Sequence, residues 1–299
     1  MVSADPHILV AYKRTRYEHY VVEGDDPSIQ ALIDEDDESV RDLVDAHETH
    51  KANLQRVLDH LRDEGFDFTP MYRGDLNSTE EYDLVITCGG DGTVLDVSHH
   101  VDSVPMLAVN SHPNSSVGYF CAGDADAFPE LLEQTLEAQW RPYELSRFQV
   151  SINGAPIEFP VLNDVLFGHS NPAAVSRYTI EVDGGEPEEQ RSSGIWISTP
   201  AGSTAAIRSA GGFVLPLDSN YLEFLVREPY PMLDRPYRYE KGIHPIGEPF
   251  KVVSRMKNGR VFIDGPHITR DVTVGDVIEV GGGAPPLRLY GLDERRRHG

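Results

Sequence analysis

The feature that most constrains this chain is a short apolar run ending in a glycine turn that carries one carboxylate. Residues 83–96 read Asp-Leu-Val-Ile-Thr-Cys-Gly-Gly-Asp-Gly-Thr-Val-Leu-Asp, which predicts a buried strand, a tight turn and the start of a helix. The backbone amides at Gly89, Gly90 and Gly92 form a concavity suited to phosphate. Asp91 is then either a general base for a hydroxyl or a carboxylate for a metal ion. An ordinary Asp-Gly turn without a ligand is the alternative.

The charge balance narrows the choice of partners. The 299 residues include 26 Lys and Arg against 49 Asp and Glu, a net charge of −23, and such a field repels nucleic acid and acidic membranes. We therefore expect no nucleic-acid partner and no membrane partner. The absence of a long apolar run and the use of only two cysteines, without metal-ligand spacing, favour the cytoplasm. An acid-rich, lysine-poor surface is also typical of proteins that work in concentrated salt.

The first half of the chain alternates between strand and helix patterns. Apolar segments at 7–12, 66–72, 82–87 and 104–109 predict strands, and residues 26–64 and 125–138 contain amphipathic helix patterns. This alternation predicts a Rossmann-like α/β domain with a parallel sheet, in which ligands bind beyond the carboxyl ends of the strands. Asn110 ends the strand that follows the glycine turn and is therefore a candidate binding residue.

The pattern changes after residue 140. Short alternating or apolar segments follow one another, separated by Gly, Pro and Asn, which predicts an all-β sandwich or barrel with Asn153-Gly154 as one hairpin turn. We place an α/β nucleotide-binding domain at 1–142 and a β-rich domain at 143–283. Residues 284–299 are expected to pack back on the first domain.

Two further stretches concentrate small and polar residues. Residues 191–212 read Arg-Ser-Ser-Gly-Ile-Trp-Ile-Ser-Thr-Pro-Ala-Gly-Ser-Thr-Ala-Ala-Ile-Arg-Ser-Ala-Gly-Gly, and such small residues let a flat ring or a sugar approach the backbone closely. A structural turn is the alternative. Asn163 and Asp164 stand side by side inside an apolar strand pattern, where both residue types are disfavoured. The pair either turns the chain or receives hydroxyl groups.

In order and spacing, these three stretches resemble the NAD kinase family. Residues 83–95 match its Gly-Gly-Asp-Gly-Thr segment, Asn163-Asp164 its Asn-Glu/Asp pair, and 198–212 its Ser-Thr-Pro-x-Gly-Ser-Thr-Ala segment with the following Ser-x-Gly-Gly. Residues 261–265 resemble a late strand of the family. The likeness covers most of the chain and is thin in the first 80 residues or so. The glycine motif alone also occurs in 6-phosphofructokinases and lipid kinases.

The resemblance implies a reaction and a set of site residues. The family phosphorylates the 2′-hydroxyl of the adenosine ribose of NAD or NADH, using ATP with Mg2+ or another divalent cation, or another phosphate donor, and it forms homo-oligomers such as dimers or tetramers. Asp91 would be the catalytic base, the β-rich domain would bind the dinucleotide, and no residue is predicted as a metal ligand. The implied binding residues are Gly89, Gly90, Gly92 and Thr93 for phosphate, Asn163 and Asp164 for ribose, Arg191 for phosphate, and Thr204, Ala205 and Ser209 in the dinucleotide pocket.

Three departures from the family pattern bear on the acceptor. Ser193 stands where the family commonly has Asp, and Ala206 where it has Tyr, so both are candidate pocket residues. The segment after Asn110 lacks the usual Gly-His-Leu-Gly-Phe form, and 118–120 resemble its remnant behind an insertion. This variant resembles the plant NADH kinase branch, which makes NADH a candidate substrate. The alternatives are a lipid or sugar kinase that shares the glycine motif and a non-catalytic dinucleotide-binding protein.

Overall fold

The structure, a computed structural model, describes residues 5–24, 26–114, 117–182, 184–230 and 236–292. The helices are α1 (Pro27–Asp34), α2 (Glu38–Asp63), α3 (Asp91–Ser98), α4 (Phe128–Leu136) and α5 (Ala206–Ser209), with short π or 3-10 turns at Glu18–Glu23, Arg73–Asp75 and Gly202–Thr204. The strands are β1 (Ile8–Tyr12), β2 (Phe68–Tyr72), β3 (Leu84–Gly89), β4 (Met106–Asn110), β5 (Gly123–Asp124), β6 (Tyr143–Leu145), β7 (Gln149–Ile152), β8 (Ala155–Pro156), β9 (Asp164–His169), β10 (Ser176–Glu181), β11 (Glu188–Ser192), β12 (Gly194–Ser198), β13 (Tyr221–Arg227), β14 (Lys241–Pro245), β15 (Phe250–Ser254), β16 (Gly259–Ile263), β17 (Ile268–Val272), β18 (Val277–Gly281) and β19 (Leu287–Tyr290).

The chain divides into two compact units. One comprises Met1–Glu144 and Arg288–Gly299, and the other Leu145–Leu287. The first contains a sheet in the order β2-β1-β3-β4-β19-β6, with β5 beside β4. The pairs β1–β2, β1–β3, β3–β4, β4–β5 and β4–β19 are parallel. Residues 293–299 of the final segment lie outside the described residues.

Helix α2 shows how the sequence builds this unit. Asp37 caps it by accepting a hydrogen bond from the amide of Ser39, a cap that stabilises a helix by about 1 kcal/mol. Leu54, Val57 and Leu61 lie on one face, are buried in the core with β1, β3 and β4, and each contribute roughly 1.5–3 kcal/mol of burial free energy. The helix ends where Gly65 adopts a φ of 79°.

That helix end explains a shift in the predicted strand. The sequence predicts a strand over 66–72, whereas β2 begins at Phe68. The amide of Phe66 donates to the carbonyl of Leu61 at 2.9 Å, and the amide of Gly65 to that of Arg62 at 3.1 Å. These bonds close a Schellman-type turn, so the residues before Phe68 end the helix rather than start the strand.

The second unit is a β-sandwich. Its two six-stranded sheets run β11-β10-β15-β18-β7-β8 and β14-β13-β12-β9-β16-β17. One hydrophobic core unites inward-facing residues of both, among them Val150, Tyr178, Ile195 and Phe224. Asn153 and Gly154 both have positive φ at the β7–β8 hairpin, as predicted for that turn. The predicted α/β domain followed by an all-β sandwich is confirmed.

Within the part of the chain that the structure describes, no helix is long and apolar enough to cross a bilayer.

Candidate active site

The glycine turn lies at the carboxyl end of the parallel sheet. All six residues of β3 are buried, Gly90 occupies the N-cap position, and Asp91 is the first residue of α3. A side chain on Gly89 would collide with that of Thr93, whereas a Cβ on Gly92 would meet nothing within 4 Å. Gly89 is thus required for close packing inside the turn, while Gly92 leaves its outer surface open to a ligand.

Asp91 is held in place through one of its two carboxylate oxygens. The backbone amide of Phe120 donates to its Oδ1 at 2.8 Å, and among the described residues Oδ2 has no hydrogen-bond partner. Phe120 belongs to the segment 118–120 that the sequence singles out behind an insertion. This segment therefore supplies an amide that fixes the orientation of the carboxylate and leaves its second oxygen available.

Asn110 joins the same segment to the turn. It ends β4, and its Oδ1 accepts a hydrogen bond from the amide of His112 at 3.0 Å. Gly118 has a φ of 59°, and a Cβ there would collide with the amide of Asn110. The amide of Ser111 donates to the carbonyl of Gly89 at 3.0 Å. Asn110 is therefore a structural contact of the turn, and the structure brings it together with Asp91 and the glycines.

Two basic residues near this turn lie outside the sequence motifs. Arg73 follows β2 and donates from Nη1 to Thr93 Oγ1 at 3.2 Å, while its Nε lies 2.9 Å from Asp96 Oδ2. Lys13 follows β1, and burial, with Arg73 next, lowers its pKa. In the sequence both residues directly follow predicted strands, a position that glycine and hydroxyl motifs do not mark.

In the sandwich, Asp264 holds the bend at Leu162 and Asn163 that leads into β9 at Asp164. The amides of Asn163 and Asp164 both donate to Asp264 Oδ1, at 2.7 and 3.0 Å, and the amide of Leu162 donates to Oδ2 at 2.8 Å. Asp264 follows β16 with a φ of 48°. The sequence placed residue 264 in a family-like strand without giving it this role. The arrangement fixes the pair and leaves Asn163 Oδ1 without a hydrogen-bond partner among the described residues.

Asp164 is unusual in its protonation. Burial raises its pKa to about 7, with the neighbouring Asp264 contributing in the same direction. The side chain is only 6% exposed. Close to neutral pH, a substantial fraction of Asp164 therefore carries a proton and can donate a hydrogen bond as well as accept one.

The Ser-Thr-Pro segment packs on that pair. Thr199 donates from its amide to the carbonyl of Asn163 at 2.9 Å and from Oγ1 to that of Leu162 at 2.5 Å. A side chain on Gly202 would collide with the backbone of Asn163. The 3-10 turn Gly202–Thr204 and then α5 follow. Thr204 and Ala205 are partly buried beside this turn.

The remaining predicted residues of this unit lie on α5, on β11 and between β11 and β12. Ala206 and Ser209 are exposed on α5. Arg191 is exposed on β11, an edge strand of the sheet that does not contain Asn163. Ser193 connects β11 to β12, and its amide donates to the carbonyl of Arg227 at 2.9 Å. The structure thus brings Asn163 together with Thr199 and Gly202, whereas Arg191, Ser193, Ala206 and Ser209 lie on other elements or connections.

Glu223 is a further residue that the motifs missed. It is buried on β13, its pKa is raised to about 7 by burial, and its Oε1 accepts a hydrogen bond from the amide of Phe213 at 2.5 Å. A Cβ on Gly212 would lie 2.8 Å from the same oxygen. Glu223 therefore holds the glycine pair that ends the Ser-Thr-Pro segment.

Comparisons with known proteins agree with these motifs. The family model described as ATP-NAD kinase N-terminal domain matches residues 34–140. A probable NADH kinase of Oryza sativa subsp. japonica is 36% identical over 269 residues, covering 83% of each chain. The NADH kinase of Arabidopsis thaliana is 34% identical over 276 residues, covering 81% of this chain and 83% of the relative.

Solved structures share the fold. An NAD kinase from Archaeoglobus fulgidus, in complex with ATP, superposes with a TM-score of 0.69 at 19% identity, covering 98% of this chain and 96% of that one. Yeast NADH kinase complexed with NADH gives 0.68 at 18% identity, covering 96% and 81%.

The glycine turn, the α/β unit and the sandwich together define a kinase. The chain belongs to the NAD kinase family. The predicted likeness to the plant NADH kinase branch is confirmed by the rice and Arabidopsis relatives.

Proposed function

We propose that this NAD(H) kinase transfers the terminal phosphate of ATP to the 2′-hydroxyl of the adenosine ribose, with NADH as an acceptor at least as good as NAD. The observation that supports Asp91 as the base is its geometry: the Phe120 amide holds Oδ1 at 2.8 Å and Oδ2 faces no competing donor among the described residues. The acceptor proposal is supported by Ser193 and Ala206, where the family commonly has Asp and Tyr.

In this mechanism Asp91 removes the proton of the attacking hydroxyl through Oδ2. Phosphoryl transfer depends mainly on positioning and charge stabilisation. The amides at Gly90 and Gly92, at the start of α3, are proposed to stabilise negative charge on the transferring phosphate. In the sandwich, Asn163 and Asp164 are proposed to bind ribose hydroxyls, with Arg191 facing phosphate and the Thr204–Ser209 stretch lining the dinucleotide pocket.

A divalent cation, Mg2+ by preference, is proposed to arrive with the nucleotide. Among the residues that the structure describes, no three His, Cys, Asp or Glu side chains gather as metal ligands. When bound, the cation supplies neutralisation of phosphate charge. We also propose a cytoplasmic homo-oligomer, and size measurement of the purified protein tests its oligomeric state.

The test is incubation with ATP and Mg2+ and either NADH or NAD, with chromatographic detection of NADP(H). We expect turnover with both, and a kcat/KM for NADH equal to or above that for NAD. Asp91→Asn should lower kcat by at least about a hundredfold, since general-base catalysis contributes about 10²–10⁴, with dinucleotide binding retained. Asp102→Asn, at an exposed position, is the matched control. Absence of product with either acceptor would overturn the proposal, and near-normal activity of the Asp91→Asn variant would remove Asp91 as the base.

A further inference from the structure

We propose that Lys13 and Arg73 bind the phosphate chain of the donor beside the glycine turn. The inference rests on the proposed kinase reaction and adds to it two residues that lie outside the recognised motifs. Their shared ligand class is a linear polyphosphate, which either a nucleoside triphosphate or inorganic tripolyphosphate supplies.

Strand register places the two cations next to the turn. In the order β2-β1-β3, Tyr12 pairs with Tyr72 on one side and with Cys88 on the other. The residues that follow these partners are Lys13, Arg73 and Gly89. They therefore lie side by side at the carboxyl edge of the sheet, where ligands of parallel sheets bind.

The ammonium group of Lys13 has no counter-ion among the described residues. The chain has 49 acidic residues and five lysines, yet within the described ranges the Lys13 side chain makes no hydrogen bond or ion pair. It is partly buried, and its pKa is lowered first by burial and then by the positive charge of Arg73. A desolvated cation facing another cation opposes folding. A bound polyanion would remove that repulsion.

Arg73 is fixed in place before any ligand arrives. Its Nε pairs with Asp96 Oδ2 at 2.9 Å and its Nη1 donates to Thr93 Oγ1 at 3.2 Å. A guanidinium has five N–H groups, so these contacts leave donors for phosphate oxygens. Because Thr93 belongs to the glycine motif, Arg73 connects the cationic pair directly to the turn that carries Asp91.

The backbone of Lys13 is also fixed. His50, fully buried on α2, lies with Nε2 3.0 Å from the carbonyl of Lys13 and with Nδ1 2.7 Å from Ser111 Oγ. A carbonyl only accepts, so Nε2 carries the proton and Nδ1 accepts from the hydroxyl. The side chain of Lys13 therefore extends from an anchored point, which reduces the entropy lost when it binds a ligand.

The experiment measures donor binding without an acceptor, by calorimetry, for Mg-ATP and for Mg-tripolyphosphate. Lys13→Met and Arg73→Met should each weaken the binding of both ligands at least tenfold, and Lys13→Arg should restore most of the affinity. Lys51→Met is the matched control, because Lys51 is an exposed lysine of the same unit paired with Glu18, and it should bind as the wild type does. The ligand that wild-type protein binds more tightly identifies the source of the phosphate chain.

If Lys13 had a purely structural role, the Lys13→Met variant would have a lower melting temperature than the wild type. The binding role predicts a different result. Removal of an unpaired, partly buried cation should leave the melting temperature of Lys13→Met unchanged or higher, while donor affinity falls. In turnover assays, KM for ATP should rise by more than KM for NADH. Wild-type affinity in Lys13→Met overturns the inference, as does reduced affinity that only accompanies a lower melting temperature. Donor binding by a wild type that phosphorylates no dinucleotide would instead overturn the proposed reaction and leave this inference standing.

Discussion

At the scale of single residues, Asp264 holds the backbone around Asn163 in place, a role that its sequence context does not indicate. Its carboxylate accepts hydrogen bonds from the backbone amides of three consecutive residues, Leu162 to Asp164. Hydrogen bonds to a charged group contribute about 1.5–3 kcal/mol each. The turn that presents Asn163 therefore depends on an acid about a hundred residues later in the chain, which no local pattern reveals.

Replacement of Asp264 by Asn tests this dependence. An amide side chain offers one acceptor oxygen in place of two, so at least one of the three bonds is lost. We expect KM for the dinucleotide to rise at least tenfold, KM for ATP to stay within about twofold, and stability in urea to fall by about 1–3 kcal/mol. Asp271→Asn, an exposed acid on β17, is the control. Equal increases in both KM values would contradict a role confined to the Asn163 turn.

The raised pKa of Asp164 predicts how stability changes with pH. The folded chain binds this proton more tightly than the unfolded chain, in which the pKa is near 3.8. The stabilising contribution is therefore complete below that value and is lost as pH rises through about 7. Asp164→Asn should flatten the decline in unfolding free energy between about pH 4 and pH 8, by at most about 4 kcal/mol. Urea denaturation across that range measures it, and an unchanged pH profile would refute the assignment. Glu223, with a similar pKa, is present in both proteins and cancels in the difference.

At the scale of elements, α2 connects loops that follow two different strands. His50 contacts the carbonyl of Lys13 after β1 and the hydroxyl of Ser111 after β4, and Asn53 donates to the carbonyl of Ser111 at 3.0 Å. Burial, with Lys13 next, lowers the pKa of His50 to about 4. The imidazole is thus neutral at physiological pH, and α2 positions the carboxyl edge of the sheet as well as packing on it.

His50→Leu should separate these loops. The substitution leaves the Lys13 carbonyl and the Ser111 hydroxyl without their partner, and each buried unsatisfied group costs about 1–3 kcal/mol. We expect the free energy of unfolding to fall by about 2 kcal/mol or more and hydrogen exchange to accelerate at residues 13 and 111. His60→Leu on the same helix, partly exposed against Phe128, should show a smaller loss of stability. Equal losses of stability for the two variants would argue against a specific role of His50 in holding the two loops together.

The local elements of the fold could be predicted from the sequence, whereas the long-range contacts of the candidate site could not. The parallel strands, the glycine turn and the sandwich were predictable because each has a local pattern: apolar period, glycine content, hairpin residues. The roles of Asp264, Phe120 and Arg73 were not, since each side chain or amide contacts a motif residue at least 20 positions away in the sequence. Strand register and loop closure bring such partners together, and a single sequence does not encode register in any local pattern.

At the scale of the whole molecule, the positive charge at the proposed phosphate site is opposite in sign to the net charge of the chain. A chain of net charge −23 is proposed to bind phosphates at a turn where Lys13 and Arg73 lie side by side, so attraction is local and repulsion is global. Screening acts mainly on exposed charges and leaves partly buried groups less affected. Added salt should therefore reduce the self-repulsion of the acidic surface more than it weakens the attraction between the two cations and a bound phosphate.

The acidic surface predicts a salt requirement for stability. Raising KCl from about 0.1 M to about 2 M shortens the Debye length from about 10 Å to about 2 Å, and we expect the free energy of unfolding to rise by at least about 2 kcal/mol. Urea titrations at each concentration measure this gain. A variant carrying D42N, D45N and E48Q, all exposed on α2, removes three repelling charges and should be more stable in dilute buffer with a smaller gain from salt. Stability no better in molar KCl than in dilute buffer, or an identical gain in the variant, would show that the surface charge has no such role.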